Sequence, residues 1–343
     1  MKELNAKKTY SRFGLTYSIG QLVYTVLVVI LSLVLKKVNP EIFSSMAANI
    51  LITYAVLVLI TYPGMYLAIR NLEKTEIPKK SMGIGMLIAC FPIAYTLGAL
   101  SNLVGTIINI RIGAATGKGA VNPILDVMTG VPPVVMFLVA VVLAPICEEL
   151  TFRKFLVDRT VRFGEKTAVL MSGLVFGLYH GNFSQFVYAF VLGAFFAYVY
   201  LRTGKIIYTI LMHMFVNGIS TVLAQVVTQG LDIEEMTGYI YGGDMEAYMN
   251  YCTEHAAAIA AVGLIGLFII LFLIAGVVLI AVNAKKVKFA AVPGELEKGN
   301  IFKNVIINVG MIVFILYCLA NIVTAQLGLE RSLVRFITSL ISG

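Results

Sequence analysis

The chain has 343 residues, of which 59% are hydrophobic and 13% are charged, and its mean hydropathy is +0.91. Soluble proteins carry about 25% charged residues, so this composition excludes an ordinary soluble domain and indicates a multi-pass membrane protein. The net charge of +8 does not indicate a nucleic-acid-binding protein, because the basic residues flank apolar runs instead of clustering on a polar domain.

Long apolar runs without strand-like alternation predict an all-α fold, a polytopic membrane helical bundle. A helix needs about 20 apolar residues to cross the hydrocarbon core, and nine runs come near this length. In chain order they are residues 16–35, 47–69, 83–108, 131–146, 167–180, 185–201, 206–227, 256–282 and 305–326. We therefore predict about nine transmembrane helices, which places the two termini on opposite sides of the membrane.

The distribution of lysine and arginine predicts the orientation of the bundle. With a cytoplasmic amino terminus, most of the basic residues fall on the cytoplasmic side, as the positive-inside rule requires. The connection 109–130 then lies outside, as does the acidic loop 228–255, and we interpret the first of these as an ordinary connector rather than a lid. The prediction is a cell-membrane protein of bacterial type, and a single miscounted span would invert the orientation of everything after it.

Two adjacent glutamates close the fourth apolar run. A charge at the bilayer centre costs about 2.5–3.5 kcal/mol on insertion scales, so ionisable groups at that depth are usually functional. On a helix, Glu149 and Arg153 lie on one face and can form an ion pair, whereas Glu148 points about 100° away. We therefore predict that Glu149 is the structural partner of Arg153 and that Glu148 acts as a general base.

Two later apolar runs carry a histidine with a partner four residues away. His180 follows Phe176 by four, and Asn217 follows His213 by four, so each pair shares one helical face. An amide beside an imidazole can orient it or donate to a developing oxyanion, although such pairs also serve as contacts between helices.

Three chemistries fit these residues. Glu148 and a histidine could activate water for attack on a peptide carbonyl, or Glu148, His180 and His213 could bind zinc and leave a position open for water. His-Glu-x-x-His, the strongest signature of a zinc protease, is absent from the sequence. A third possibility makes Cys147 a nucleophile, which we disfavour because it faces about 100° away from Glu148.

The ordered set of motifs resembles the CAAX prenyl protease and bacteriocin-processing family, also called CPBP or Abi. The motifs that carry the resemblance are Glu148-Glu149-x-x-x-Arg153, Phe176-x-x-x-His180 and His213-x-x-x-Asn217. They lie between about residues 131 and 227, and each is weak alone but specific in this order. The resemblance implies an all-helical intramembrane endopeptidase without a tightly bound metal, with zinc as the alternative.

The resemblance also implies a role for each residue. Glu148 would be the catalytic base on water with His180 assisting, while His213 and Asn217 would form the oxyanion site. Glu149, Arg153 and Phe176 would support these groups structurally. The substrate would be a membrane-associated peptide or protein, and pheromone or bacteriocin processing or immunity is favoured over CAAX processing.

The resemblance divides the chain into three predicted parts. Residues 1–82 would form two amino-terminal transmembrane helices, 83–283 the CPBP-like catalytic membrane core, and 284–343 a basic cytoplasmic loop with a carboxyl-terminal transmembrane helix. Two other classes stay open: a non-proteolytic immunity or partner-binding membrane protein, and a proton- or ion-coupled transporter. The transporter would call for inverted repeats, and none is evident in the sequence.

Overall fold

A computed structural model describes residues 2–117 and 131–329, and the described part is all-α, without strands. The nine longer helices are α1 (Lys2–Val38), α3 (Met46–Ile69), α4 (Ile84–Thr116), α5 (Pro133–Phe163), α6 (Glu165–Tyr179), α7 (Phe183–Thr203), α8 (Ile206–Gly230), α11 (Ala256–Asn283) and α13 (Val309–Gln326). The short helices are α2 (Pro40–Ser44), α9 (Ile233–Gly242), α10 (Met245–Glu254) and α12 (Lys298–Val305). The predicted fold class, a polytopic helical bundle, is confirmed.

Eight of the described helices are long and apolar enough to cross a membrane. One of the nine predicted spans, 167–180, is not among these eight helices. It corresponds to α6, which has 15 residues and is therefore about 22 Å long, shorter than the roughly 30 Å hydrocarbon core. Helices α6 and α7 are joined by three residues and pack as an antiparallel hairpin, because Gly173 lies against Ala194 while Gly177 lies against Phe186. The hairpin brings the end of α7 back to the start of α6, where Arg202 forms an ion pair with Glu165.

Glycines on both helices bring α6 and α7 unusually close together. A Cβ atom at Gly177 would lie 2.8 Å from the Phe186 carbonyl oxygen, and one at Gly193 would lie 2.9 Å from the Gly173 Cα atom. Small residues spaced by four are the usual way for membrane helices to approach backbone to backbone. This contact fixes the end of α6, which carries Phe176 and His180.

The helix that carries the two glutamates is longer than predicted. We predicted the fourth apolar run at 131–146, closed by the two glutamates, but α5 continues to Phe163. The glutamates therefore lie near the middle of a 31-residue helix and not at the end of a span. The predicted run was too short because it ended at the first charged residues, whereas the helix continues past Arg153 and Arg159, which are buried against neighbouring helices.

Helix α1 packs against the last described helix, α13, through two glycines. Gly14 and Gly310 face each other so closely that a Cβ atom on either would overlap backbone atoms of the other helix. The Gly310 amide donates to the Ser11 hydroxyl at 3.0 Å, which adds a hydrogen bond to the same contact. Buried residues of α1, α5, α6 and α13 share one hydrophobic core, so the amino-terminal helix packs directly on the elements that hold the site.

Two connecting segments differ from the sequence interpretation. Helix α4 extends through Thr116 into the connection predicted at 109–130, and the rest of that connection lies outside the described residues apart from Gly117. The acidic loop predicted at 228–255 instead contains helices α9 and α10. Its acidic residues include Asp232 and Asp244, whose carboxylates accept from backbone amides three residues later and so cap the two helices.

Candidate active site

The polar residues of the site are carried by a stretch of α5 with irregular hydrogen bonding. Residues Ala144–Glu149 are α-helical, and wider π-helical turns flank them at Phe137–Leu143 and Leu150–Phe155. Such turns are frequent at functional sites because they rotate side chains away from their regular helical positions. Pro145 lacks a backbone N–H and contributes to the first of them.

Glu149 is fully buried and is tied to two partners. Its Oε2 lies 3.1 Å from the Nε of Arg153, so the ion pair expected from the spacing is present. Its Oε1 lies 2.9 Å from the Nδ1 of His213 on α8. Glu149 therefore links α5 to α8 and orients the His213 ring.

The Arg153 guanidinium is buried and is stabilised by aromatic rings as well as by Glu149. Its carbon lies 4.3 Å from the centre of the Phe176 ring and 5.6 Å from that of Phe196. Among the described residues, its terminal nitrogens have no hydrogen-bond partner, so the ring faces take the place of acceptors. Phe176 thus contacts the charge that balances Glu149, and its supporting role stays a prediction.

His213 lies between the two glutamates. Its Nε2 is 3.6 Å from Oε2 of Glu148, whose side chain is 19% exposed, whereas Glu149 is inaccessible. A carboxylate oxygen accepts, so the Nδ1–H of His213 donates to Glu149 and Nε2 is the ring nitrogen that faces Glu148. His213 therefore connects the two carboxylates.

His180 is held by its own helix. Its Nδ1 lies 2.8 Å from the carbonyl oxygen of Phe176, which can only accept, so Nδ1 carries the proton and Nε2 keeps a lone pair. The ring packs edge-on against Phe176, with centroids 4.8 Å apart, and His213 packs edge-on against the same ring at 5.8 Å. Both histidines therefore lie against the Phe176 ring, and His213 in turn lies close to Glu148.

Asn217 has a partner that sequence reasoning did not identify. Its amide nitrogen donates to the carbonyl oxygen of Ala140 at 2.9 Å. In the first π-helical turn the Ala144 amide reaches back five residues to Val139, so the matching donor for Ala140 would come from Pro145, which has none. Asn217 therefore satisfies a carbonyl that α5 leaves open.

Several polar groups next to the site lie outside the motifs. On α1, the Tyr17 hydroxyl donates to the Thr151 carbonyl at 3.1 Å and the Gln21 amide donates to the Tyr179 carbonyl at 2.7 Å. The loop after His180 starts a hydrogen-bonded series in which Asn182 and Gln185 take part. A glutamine inside an apolar run was the available signal for both groups, but nothing in its spacing showed which helix it would meet.

The described residues contain no group of three or more His, Cys, Asp or Glu side chains placed to hold a metal ion. The two histidine Nδ1 atoms are taken up by Glu149 and by the Phe176 carbonyl, which leaves the Nε2 atoms and Glu148 as the donors that a zinc ion would need. Cys147 is a free, partly buried thiol next to Glu148. The metal-free mechanism stays a prediction.

An open apolar cavity lies beside the site, on the neighbouring face of α8. It has a volume of about 560 Å³ and is lined by apolar residues of α4, α5, α8 and α11, among them Phe91, Phe137, Val141, Phe215, Gly218 and Phe268. Gly218 follows Asn217 directly, so α8 contributes residues to both the cavity and the polar site.

Comparison with known proteins places the site within a described family segment. Residues 130–219 match the model of the family "Type II CAAX prenyl endopeptidase Rce1-like". The resemblance to the CPBP family is confirmed over this segment. The match spans α5 to α8 up to Ile219 and so contains all seven residues of the three motifs.

The chain is also similar to the "Putative membrane peptidase YdiL" of Bacillus subtilis (strain 168). The two are 32% identical over 145 residues, which are 40% of this chain and 56% of that protein. The chain thus spans a little over half the length of the curated relative that it matches. No solved structure matches the chain.

Proposed function

We propose that the chain is an intramembrane endopeptidase that hydrolyses a peptide bond of a membrane-associated peptide or protein. The observation that carries the proposal is the partial exposure of Glu148 next to a histidine. Its neighbour Glu149 is buried and contacts Arg153 and His213, whereas Glu148 is partly accessible and faces the Nε2 of His213. The family match and the similarity to a membrane peptidase support the same class of activity.

In the proposed reaction, water bridges the Glu148 carboxylate and the imidazole of His213 or His180. Glu148 takes a proton from this water, and the water oxygen attacks the peptide carbonyl carbon. The product of this step is a tetrahedral intermediate whose former carbonyl oxygen carries the negative charge. The C–N bond then breaks, and the leaving amine takes the proton from Glu148. Glu149 and Arg153 hold His213 in place and stay out of the proton transfers.

The surroundings of the site support an apolar substrate. The cavity that includes Phe215 and Gly218 would hold an apolar segment or chain of the substrate close to Glu148. We assign the amino terminus to the cytoplasm from the distribution of basic residues. For the biological role we favour pheromone or bacteriocin processing or immunity over CAAX processing.

The test is peptide cleavage by the purified protein in lipid vesicles, with a pool of acyl-anchored, internally quenched fluorescent peptides. We expect Glu148→Gln, which keeps the shape of the side chain, to lower the cleavage rate by about 10²–10⁴-fold, the usual contribution of a general base. Cys147→Ala is the matched control, because it alters the adjacent residue and should leave the rate unchanged.

Each arm has an outcome that would contradict the proposal. Cleavage by Glu148→Gln at the wild-type rate would show that Glu148 is not the general base. Loss of activity only in Cys147→Ala would show that the thiol is the nucleophile. Loss of wild-type cleavage on addition of a chelator, restored by zinc, would replace the metal-free mechanism. Absence of cleavage by the wild type, together with a cellular phenotype that Glu148→Gln retains, would indicate the non-proteolytic alternative.

A further inference from the structure

A hydrogen-bonded series runs along the start of α7, directly after His180. The Asn182 amide donates to the His180 carbonyl at 2.9 Å and lies 2.6 Å from Oε1 of Gln185. The Gln185 amide in turn donates to the Tyr188 hydroxyl oxygen at 3.2 Å. Asn182 thus donates both to His180 and to Gln185, Gln185 donates to Tyr188, and the series ends at the Tyr188 hydroxyl.

The Tyr188 hydroxyl has a proton to give. A phenol both donates and accepts, and here its oxygen already accepts from Gln185. Among the described residues, no acceptor is bonded to the hydroxyl proton. The side chain is partly buried, so the hydroxyl is neither fully exposed to solvent nor fully buried in the core.

Tyr188 lies beside the catalytic groups. Its ring packs against both hydrophobic clusters that flank the site, one containing Phe176 and the other containing Phe196 and Met212. The hydrogen-bonded series through Gln185 and Asn182 connects its hydroxyl to the backbone of His180. The phenol thus stands on the α7 side of the site, whereas His213 and Asn217 approach from α8.

The residues of the motifs leave few donors for an oxyanion. Both nitrogens of His213 face carboxylates, and Asn217 gives one of its two amide hydrogens to the Ala140 carbonyl, which leaves one. His180 gives its Nδ1 proton to the Phe176 carbonyl. A tetrahedral intermediate needs at least one preorganised donor aimed at its oxygen, and such donors are usually the largest single contribution to catalysis.

We propose that Tyr188 is a catalytic residue whose hydroxyl donates a hydrogen bond to the substrate oxyanion, held in place by Gln185 and Asn182. The inference rests on the proposed peptidase function and adds to it a residue outside the three motifs. No proton is transferred in this role: the O–H bond stays intact, and the hydrogen bond strengthens as negative charge develops on the carbonyl oxygen.

The test compares Tyr188→Phe with the wild type on the single peptide that is cleaved fastest in the pool of acyl-anchored fluorescent peptides. We expect kcat to fall by about 10²-fold, as when one oxyanion donor is removed, with KM and the melting temperature little changed. Gln185→Leu, which frees the hydroxyl without removing it, should give a smaller loss of kcat. The shape of the pH–rate profile should be the same in both variants as in the wild type.

Tyr198→Phe is the matched control. It makes the same chemical change on the same helix, about 15 Å further along, where the hydroxyl accepts from the Lys288 amide at 3.4 Å. This variant should cleave at the wild-type rate, so a loss of activity shared by both variants would indicate a general effect on α7.

The outcomes separate this inference from the proposed function. Full activity of Tyr188→Phe with an inactive Glu148→Gln overturns the role of Tyr188 and leaves the peptidase in place. A rise in KM alone would make Tyr188 a substrate-binding contact, and a displaced limb of the pH profile would make it a proton donor; either result contradicts the inference. If Glu148→Gln is as active as the wild type, or the wild type cleaves nothing, the proposed function fails and the role of Tyr188 fails with it.

Discussion

Helix α5 carries two ionic clusters one turn apart, and they are built in different ways. In the first, Arg153 has terminal nitrogens that bond no described residue and Glu148 has no close ion-pair partner other than His213 at 3.6 Å. In the second, Asp158 accepts from the Tyr200 hydroxyl at 2.6 Å and from Lys154 at 2.9 Å. Lys154 also donates to the Tyr200 hydroxyl at 2.8 Å, so this triangle is closed.

The difference indicates where chemistry can occur. In the closed cluster each charge has its partners, and the arrangement can only hold helices α5 and α7 together. In the open cluster a fully buried ion pair holds a histidine in position, and one carboxylate keeps part of its surface accessible. An ionised carboxylate that is not neutralised by its neighbours is the group that can accept a proton from water.

The largest expected effect on stability comes from neutralising the inner glutamate. Glu149→Gln leaves the Arg153 charge buried without a counter-charge, which should lower the free energy of unfolding by about 3–5 kcal/mol. Glu148→Gln, the same change one residue earlier, should stay within about 0.5 kcal/mol, because this carboxylate is partly exposed and has no buried counter-charge to lose. Unfolding of both variants in detergent micelles measures the contrast.

A double variant checks the cause of that loss. Replacing Arg153 by Met in the Glu149→Gln background removes the uncompensated charge and should restore most of the lost stability. Equal losses in Glu148→Gln and Glu149→Gln would show that the two carboxylates are held alike, and the contrast between them would be wrong.

The closed cluster should affect stability without affecting catalysis. Tyr200→Phe removes the hydroxyl that bonds both Asp158 and Lys154, and hydrogen bonds to charged groups contribute about 1.5–3 kcal/mol each. We expect a loss in this range with a peptide cleavage rate within about twofold of the wild type. A variant that is stable but inactive would place this cluster in the catalytic machinery.

A smaller effect should separate two roles of Asn217. Asn217→Ala leaves the Ala140 carbonyl without a donor, which should cost about 1–3 kcal/mol of stability. Pro145→Ala returns a backbone N–H to α5, so adding it to Asn217→Ala should recover part of that loss. Loss of activity in Asn217→Ala with unchanged stability would instead favour Asn217 as an oxyanion donor alone.

The spacing of residues along the sequence predicted the features that arise within a single helix. The apolar runs indicated most of the helices, and the spacing of four between Glu149 and Arg153 indicated their ion pair, which is present. The length of α5 was misjudged because the sequence does not show that Arg153 and Arg159 are buried. The sequence alone does not distinguish a charged residue in an exposed linker from one on a helix that neighbouring helices bury.

Contacts between helices were beyond the reach of the sequence. Nothing in the spacing of α8 shows that Asn217 meets Ala140, since that bond arises from a π-helical turn and a proline on another helix. The hydrogen bond from His213 to Glu149 likewise depends on how α5 and α8 pack. The resemblance brought the motifs together as a set, but it did not indicate Tyr188 or Gln185.

The glycine contact between α1 and α13 has a consequence for how the protein is made. Gly14 and Gly310 are roughly 300 residues apart in the sequence, so α1 can pack against α13 only after both helices have been synthesised. Until then the Tyr17 ring lacks its contact with Phe314 on α13, although it can already pack against Phe152. We expect the backbone around Thr151, which accepts from the Tyr17 hydroxyl, to reach its final packing only after α13 is in place.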